Sequence, residues 1–192
     1  MHNKLVIFSA PSGAGKTTIV RYLVDQLPDL VFSVSVCSRK KRPHEIEGKD
    51  YYFVSADEFR QKIKNQEFVE WEEVYRDYFY GTLKSEIERI WAGGKSIVFD
   101  VDVIGGINIK REYGSRALSV FVMPPSLEEL ERRLLKRSTE STEALRERVA
   151  KADKEMEYAS VFDVVLYNKN LETAKKEALN IVTEFLNNPV ES

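Results

Sequence analysis

The segment Ala10-Pro11-Ser12-Gly13-Ala14-Gly15-Lys16-Thr17, set directly behind the apolar run Leu5-Val6-Ile7-Phe8, constrains this chain more than any other. A strand that ends in a glycine-rich turn and a lysine predicts a phosphate-binding loop delivered onto the start of a helix. Gly13 and Gly15 let backbone N–H groups turn inward around an anion, Lys16 brings an ammonium, and Thr17 offers a hydroxyl to Mg²⁺. The helix that begins there adds the positive end of its dipole. Ala10 stands where the strict G-x-x-x-x-G-K-[ST] pattern has its first glycine. The expectation is a nucleoside triphosphate held by residues 10–18, Thr18 included.

Apolar runs of strand length recur at 5–8, 96–99, 118–122 and 164–167, with helical periodicity between them. This alternation predicts an α/β fold whose core is a parallel sheet flanked by helices. Ile19, Val20, Leu23 and Leu27 share one face of the first helix, which stops before Pro28. Leu127, Leu130 and Leu134 align on a helix opening at Ser126. The last helices carry Leu145, Val149, Ala152, Met156 and Ala159, and then Leu171, Ala174, Ala178, Ile181 and Phe185. Between 33 and 82 the texture changes to short alternating, tyrosine-rich segments with a helical piece over 57–65, which predicts a small mixed-sheet insertion. Residues 136–144 form a polar break, expected to be a mobile flap. The division expected is a core of 1–32, 83–125 and 160–192, an insertion of 33–82, and a helical lid of 126–159.

Composition narrows the classes. With 192 residues, 43% of them hydrophobic and 31% charged, the chain can bury one sizeable core. A net charge of −2 gives no general attraction to nucleic acid or membrane, so neither is expected as a partner. Cys37 is the single cysteine, which excludes an internal disulfide and a cysteine zinc site. No leader of signal-peptide form precedes the first strand and no long apolar run follows, so a cytoplasmic location is expected. His2 and His44 are read as solvated.

Phosphoryl transfer needs cations, a metal and an acceptor site rather than covalent catalysis. Asp100, at the end of the run Ile97-Val98-Phe99, is placed to hold Mg²⁺ beside Thr17, and Asp102 follows on the same side. A strand-end aspartate that caps the next helix is the plainer alternative. Arg133 and Arg137 lie four apart on one helical face, and Arg148 follows on the next helix, so three cations can converge on phosphates. Solvated helix faces explain each arginine taken alone. The run Ser38-Arg39-Lys40-Lys41-Arg42-Pro43 fits a clamp for one phosphate group, with Arg39 and Arg42 supplying charge and the hydroxyls of Tyr51 and Tyr80 completing a cage.

Taken together, Arg39-x-x-Arg42-Pro43, Gly48-x-x-Tyr51-x-Phe53-Val54, Glu70, Tyr80-Gly81-Thr82, Asp100-x-Asp102-x-x-Gly105, Pro124-Pro125-Ser126, Arg133-Leu134 and Arg137-x-Thr139-Glu140 closely resemble guanylate kinase. The likeness runs in order over nearly the whole chain. It implies a nucleoside monophosphate kinase of purine nucleotide metabolism, moving the γ-phosphate of Mg-ATP to GMP or dGMP, with 33–82 as the GMP-binding insertion and 126–159 as an arginine-bearing lid. It makes Ser35, Glu70, Thr82 and Asp102 the guanine readers, with hydroxyls donating to O6 and carboxylates accepting from N1–H and the 2-amino group. Arg39, Arg42, Tyr51 and Tyr80 would hold the GMP phosphate. Lys16, Arg39, Arg133, Arg137 and Arg148 would be the catalytic cations, the last three reaching the ATP phosphates from the lid. Asn168 matches the family residue near the ATP base, although the family's Asn-Asp pair reads Asn168-Lys169 here. One extra residue stands between Glu70 and the Tyr80-Gly81 turn, and Glu72 and Glu73 are left outside the site on that account. Two other readings stay open: a non-catalytic, guanylate-kinase-like module that binds phosphopeptides, and a phosphate-loop kinase for another acceptor. A monomer or homodimer fits the resemblance.

Overall fold

The computed structural model describes residues 3–137 and 142–189. Along the chain run β1 (Leu5–Ser9), α1 (Lys16–Gln26), β2 (Leu30–Phe32), β3 (Val36–Cys37), β4 (Tyr52–Phe53), α2 (Ala56–Lys64), β5 (Phe68–Tyr75) and β6 (Tyr78–Leu83). There follow α3 (Lys84–Ala92), β7 (Ser96–Asp100), α4 (Val103–Tyr113), β8 (Ala117–Met123), α5 (Leu127–Arg137), α6 (Thr142–Glu157), β9 (Val164–Tyr167) and α7 (Leu171–Asn187). The α/β fold is the one the alternating runs predict. Five strands in the order β2-β7-β1-β8-β9 pair in parallel throughout.

The two-residue period of a strand explains how this sheet is covered on both faces. In β1, Val6 and Phe8 enter one apolar cluster with Ile19, Val20 and Leu23 of α1 and with Ala174, Ala178 and Val182 of α7. Leu5 and Ile7 enter the opposite cluster, with Ile87 and Ile90 of α3 and Ile109 of α4. The C-terminal ends of two neighbouring parallel strands point at chemistry: Ser9 of β1 leads into the phosphate loop, and Asp100 closes β7, registered beside Phe8. β2 is a strand the apolar pattern did not mark, because three residues between Pro28 and Ser33 are too few to show a period.

The second sheet is mixed, ordered β4-β3-β6-β5, with β3 and β4 parallel and the other pairs antiparallel. Its own small core is Val36, Phe59, Phe68 and Phe79. The α2 helix opens on a capping box, Ser55 accepting from the Glu58 N–H while the Glu58 carboxylate accepts from the Ser55 N–H. Tyr80-Gly81, expected as a turn, lies inside β6; the connection falls earlier, with Asp77 at φ 65°, and the extra residue of β5 is taken up by a pairing shift between Glu73 and Tyr75. Glu70 therefore stays opposite Thr82. The flap expected over 136–144 is shorter than the polar composition implied, since α5 continues to Arg137 and α6 begins at Thr142; its remainder lies outside the described residues.

Candidate active site

The phosphate loop forms as expected. Gly13 and Gly15 sit at φ 93° and 97°, a region closed to ordinary side chains, and Gly15 caps α1. Ala10 needs no positive φ, so the missing first glycine costs the loop nothing in backbone conformation. A cavity of about 430 Å³ is lined by Ala10, Pro11, Ser12, Gly13, Gly15, Lys16, Thr17 and Thr18, together with Asp100, Asp102 and Arg148. Ala14 departs from the set: its side chain is buried in the apolar core and only its backbone serves the loop.

Lys16 Nζ lies 2.6 Å from Asp100 Oδ1 and donates to the Val101 carbonyl at 2.6 Å. The Thr17 hydroxyl donates to Asp100 Oδ2, also at 2.6 Å. One carboxylate thus ties the ammonium and the hydroxyl together before any phosphate arrives. Thr17 and Asp100 are hard oxygen donors in direct contact, which suits Mg²⁺, an ion that takes one or two protein oxygens and completes its shell with water and phosphate.

Asn168 is 3% exposed, and its Nδ2 donates to the Ala14 carbonyl at 2.7 Å. A Cβ on Gly15 would fall 2.4 Å from that nitrogen, so the glycine is needed for this approach as well as for its φ. Arg133 donates to Glu129 at 2.9 Å and to the Asn168 carbonyl at 3.3 Å, and holds Glu129 at about 2 together with Arg132. The structure therefore brings Arg148 into the cavity and sets Arg133 against the strand-end loop behind it. The side chain of Arg137 lies outside the described residues, as do Thr139 and Glu140.

On the insertion, the cage assembles around Arg39. Its Nε donates to the Tyr80 hydroxyl at 3.0 Å, its NH1 to Lys40 O at 3.0 Å and to Glu45 Oε2 at 2.7 Å, and its NH2 to Glu45 Oε1 at 2.5 Å. The guanidinium lies 5.1 Å from the Tyr51 ring centroid, and the Tyr51 and Tyr80 rings meet edge-on at 5.8 Å. Of the five N–H groups a guanidinium has, one is left for a ligand. Arg42 is exposed; its backbone N–H donates to Glu45 at 2.8 Å. The Arg39 hydrogen bonds hold the Glu45 carboxyl down at about 2. The basic run alone did not reveal Glu45, yet one acid three residues after Arg42 is the counter-charge such a cluster needs.

Of the residues expected to read the base, Glu70 and Thr82 face one another across the β5-β6 ladder. Thr82 Oγ1 donates to Glu70 Oε1 at 2.8 Å, with Thr82 fully buried and Glu70 8% exposed. Burial pushes the Glu70 carboxyl up to about 7; the Thr82 hydrogen bond opposes this and the Asp102 charge adds to it. A Cβ on Gly105 would lie 2.9 Å from Glu70 Oε2 and 3.4 Å from Asp102 Oδ1, so a glycine there gives both carboxyls room. Asp102 caps α4, accepting from the Gly105 N–H at 2.7 Å. Capping and facing the site are compatible, because a carboxylate has a second oxygen. Ser35 is half-buried just before β3, its carbonyl fastened by the Tyr52 N–H at 2.9 Å.

Glu72 was set aside in the sequence and belongs to the cavity, as do Lys151 and Glu155 of α6. The neighbouring Asp102 carboxyl, with burial, pushes its own carboxyl up to about 7. Strand spacing held the signal: a residue two places after Glu70 shares its face.

The guanylate kinase family model matches residues 2–186 of the chain. Guanylate kinase of Bacteroides fragilis is 54% identical over 183 residues, covering 95% of this chain and 90% of that protein. The Porphyromonas gingivalis guanylate kinase is 50% identical, covering 95% and 98%. The crystal structure of guanylate kinase from Anaplasma phagocytophilum superposes with a TM-score of 0.75 at 29% identity, covering 97% of this chain and 88% of that one. A match that runs from residue 2 to residue 186, with relatives at half identity over nearly the whole chain, shows that the chain belongs to the guanylate kinase family.

Proposed function

We propose that this chain transfers the γ-phosphoryl group of Mg-ATP to GMP, giving ADP and GDP, with the residue roles that the two halves of its site support. The observation that carries the reading is the pairing of a Lys16-Asp100-Thr17 knot at the phosphate loop with a Glu70-Thr82-Asp102 cluster across the same cleft. The loop N–H groups and Lys16 hold the donor phosphates. Thr17 and Asp100 would hold Mg²⁺, which would supply positive charge to those phosphates when bound. Arg148 adds charge from the lid, and the lid carries Arg133 and Arg137 with it on closing. Arg39, Tyr51 and Tyr80 seat the GMP phosphate, with Arg42 at its rim.

The attacking atom is a phosphate oxygen of GMP, so no strong general base is required. Alignment and electrostatic stabilisation supply the rate, and closure keeps water from taking the phosphoryl group. Glu70 accepts from N1–H, Asp102 from the 2-amino group, and Thr82 and Ser35 donate to O6. Adenine offers the reverse pattern and would leave buried groups unpaired, at about 1–3 kcal/mol each. A three-part division into core, insertion and lid fits the two sheets and the α5-α6 pair. No helix among the described residues is long and apolar enough to cross a membrane, and a cytoplasmic monomer or homodimer is the setting proposed.

The test is ADP release from Mg-ATP with GMP, AMP, UMP and dTMP offered separately. Turnover confined to GMP supports the reading. Equal turnover with another acceptor moves the chain to a different phosphate-loop kinase, and none from folded protein favours the non-catalytic module.

A further inference from the structure

Asn168 is bonded to three parts of the molecule at once. Its N–H donates to the Met123 carbonyl at the end of β8 at 2.8 Å, its carbonyl accepts from Arg133 of α5 at 3.3 Å, and its Nδ2 donates to the Ala14 carbonyl at 2.7 Å. The remaining polar atom, Oδ1, is buried and meets no donor among the described residues. With the residue 3% exposed, this side chain has almost no surface to offer a nucleotide base, and it is not among those lining the phosphate-loop cavity. What it does hold, from outside that cavity, is the backbone of the loop. The Ala14 N–H is already committed to the Pro11 carbonyl at 3.1 Å, so the next N–H along, that of Gly15, is the one left for an anion. In a planar trans peptide the C=O and the following N–H point in opposite directions. An Ala14 carbonyl held outward by Asn168 therefore turns the Gly15 N–H toward the cavity that Gly15 lines.

We infer that Asn168 is a positioning residue of the phosphate loop: it locks the Ala14-Gly15 peptide with the Gly15 N–H aimed at the donor phosphates, and it does not read the donor base. The lock has work to do, because Gly15 stands at φ 97° and a glycine beside a peptide leaves that peptide free to rotate, as it does between type I and type II turns. The resemblance sets this residue near the ATP base; its bonds assign it to the phosphate end. The inference rests on the loop's holding the donor phosphates, and not on the identity of the acceptor. A base contact matters to ATP and not to a polyphosphate without a base, whereas a lock on the loop matters to both in equal measure.

The experiment is calorimetric binding of Mg-ATP, and of inorganic tripolyphosphate with Mg²⁺, to the full chain and to its Asn168→Ala and Asn168→Leu variants. Leucine keeps the branched shape of the side chain and drops its donor. A Kd is read on the folded fraction, so a lower thermal midpoint in either variant does not blur it. Both variants should bind both ligands about tenfold more weakly, the change expected when a carbonyl loses a buried donor, with the ratio of the two Kd values unchanged. Affinities in Asn168→Leu equal to those of the unaltered chain would overturn the inference, as would a weakening confined to Mg-ATP, which would make Asn168 a base contact. Tripolyphosphate that fails to bind the unaltered chain, or binds Lys16→Ala as well as it binds that chain, would overturn the reading of the loop and this inference with it. Neither probe involves the acceptor, so the outcome stands apart from the assignment of GMP.

Discussion

The donor and acceptor halves of the cleft are built on different principles. The donor half hangs from β1 and β7, whose apolar residues are fully or almost fully buried, and it makes its anion site from backbone turned at Gly13 and Gly15. The acceptor half hangs from a sheet whose β3 and β4 are two residues each, and it makes its site from side chains that restrain one another: Arg39 with Glu45, Glu70 with Thr82. Backbone N–H groups survive substitution of neighbouring side chains, whereas a paired side chain does not survive loss of its partner. Triphosphate binding should therefore be robust and acceptor recognition fragile.

The sharpest way to break that contrast is Lys16→Ala. Its ammonium contributes most when charge develops on the transferred group, so kcat should fall by about 10³-fold. The fold and the KM for GMP should change little, because among the described residues Lys16 bonds to Asp100 and the Val101 carbonyl, both on the donor side. Steady-state kinetics with a thermal melt checks this; a KM for GMP rising in step with the loss of kcat would show that the halves are not separable.

Next in size is a pH effect confined to the acceptor half. The Glu70 carboxyl is raised from 4.5 to about 7, chiefly by burial. A group with a raised folded value contributes stability that is complete below its unfolded value and lost as pH climbs through the folded one. Stability should thus decline between about pH 4.5 and 7, by on the order of 3 kcal/mol at most. Denaturant unfolding of Glu70→Gln across that range should show a flatter slope. An identical slope would mean that Glu70 is already solvated or paired.

What the sequence revealed and what it hid follow the same division. The donor half was legible because one contiguous pattern, Gly13 to Thr17 behind a buried strand, carries both its geometry and its charge. The insertion was legible as short strands, but Glu45 and Glu72 were not, since a basic run masks the first and the second joins a cavity whose other walls are far away in sequence. The extra residue before Tyr80 hid Glu72 further, until the pairing shift between Glu73 and Tyr75 showed where the ladder absorbs it. The cap expected of a strand-end aspartate falls to Asp102 rather than to Asp100, because two residues separate the end of β7 from the start of α4.

Glu45 gives a smaller test. Replacing it by Gln leaves Arg39 with the Tyr80 hydroxyl and the Lys40 carbonyl as fixed partners and frees the guanidinium to wander. That freedom must be lost again when GMP binds, so the KM for GMP should rise by about tenfold with kcat and the KM for ATP near their original values. A lower KM would mean that Glu45 competes with the phosphate for Arg39 rather than holding it ready.

The smallest expected effect lies in how the two halves end their helices. The α3 helix, which covers the core sheet, is followed by Gly94 at φ 70°, where glycine is unstrained. The α2 helix of the insertion is followed by Gln66 at φ 55°, an exposed side chain in the left-handed region. Left-handed backbone costs an ordinary residue about 1 kcal/mol, and the wider freedom of glycine in the unfolded chain returns part of that. Gln66→Gly should therefore stabilise the protein by about 0.5 kcal/mol, a rise in midpoint of about 1–2 °C, with all kinetic constants unchanged. A gain that also shifted the KM for GMP would tie strain in the small sheet to acceptor binding, and would make the fragility of that half a property of its backbone as well as of its side-chain pairs.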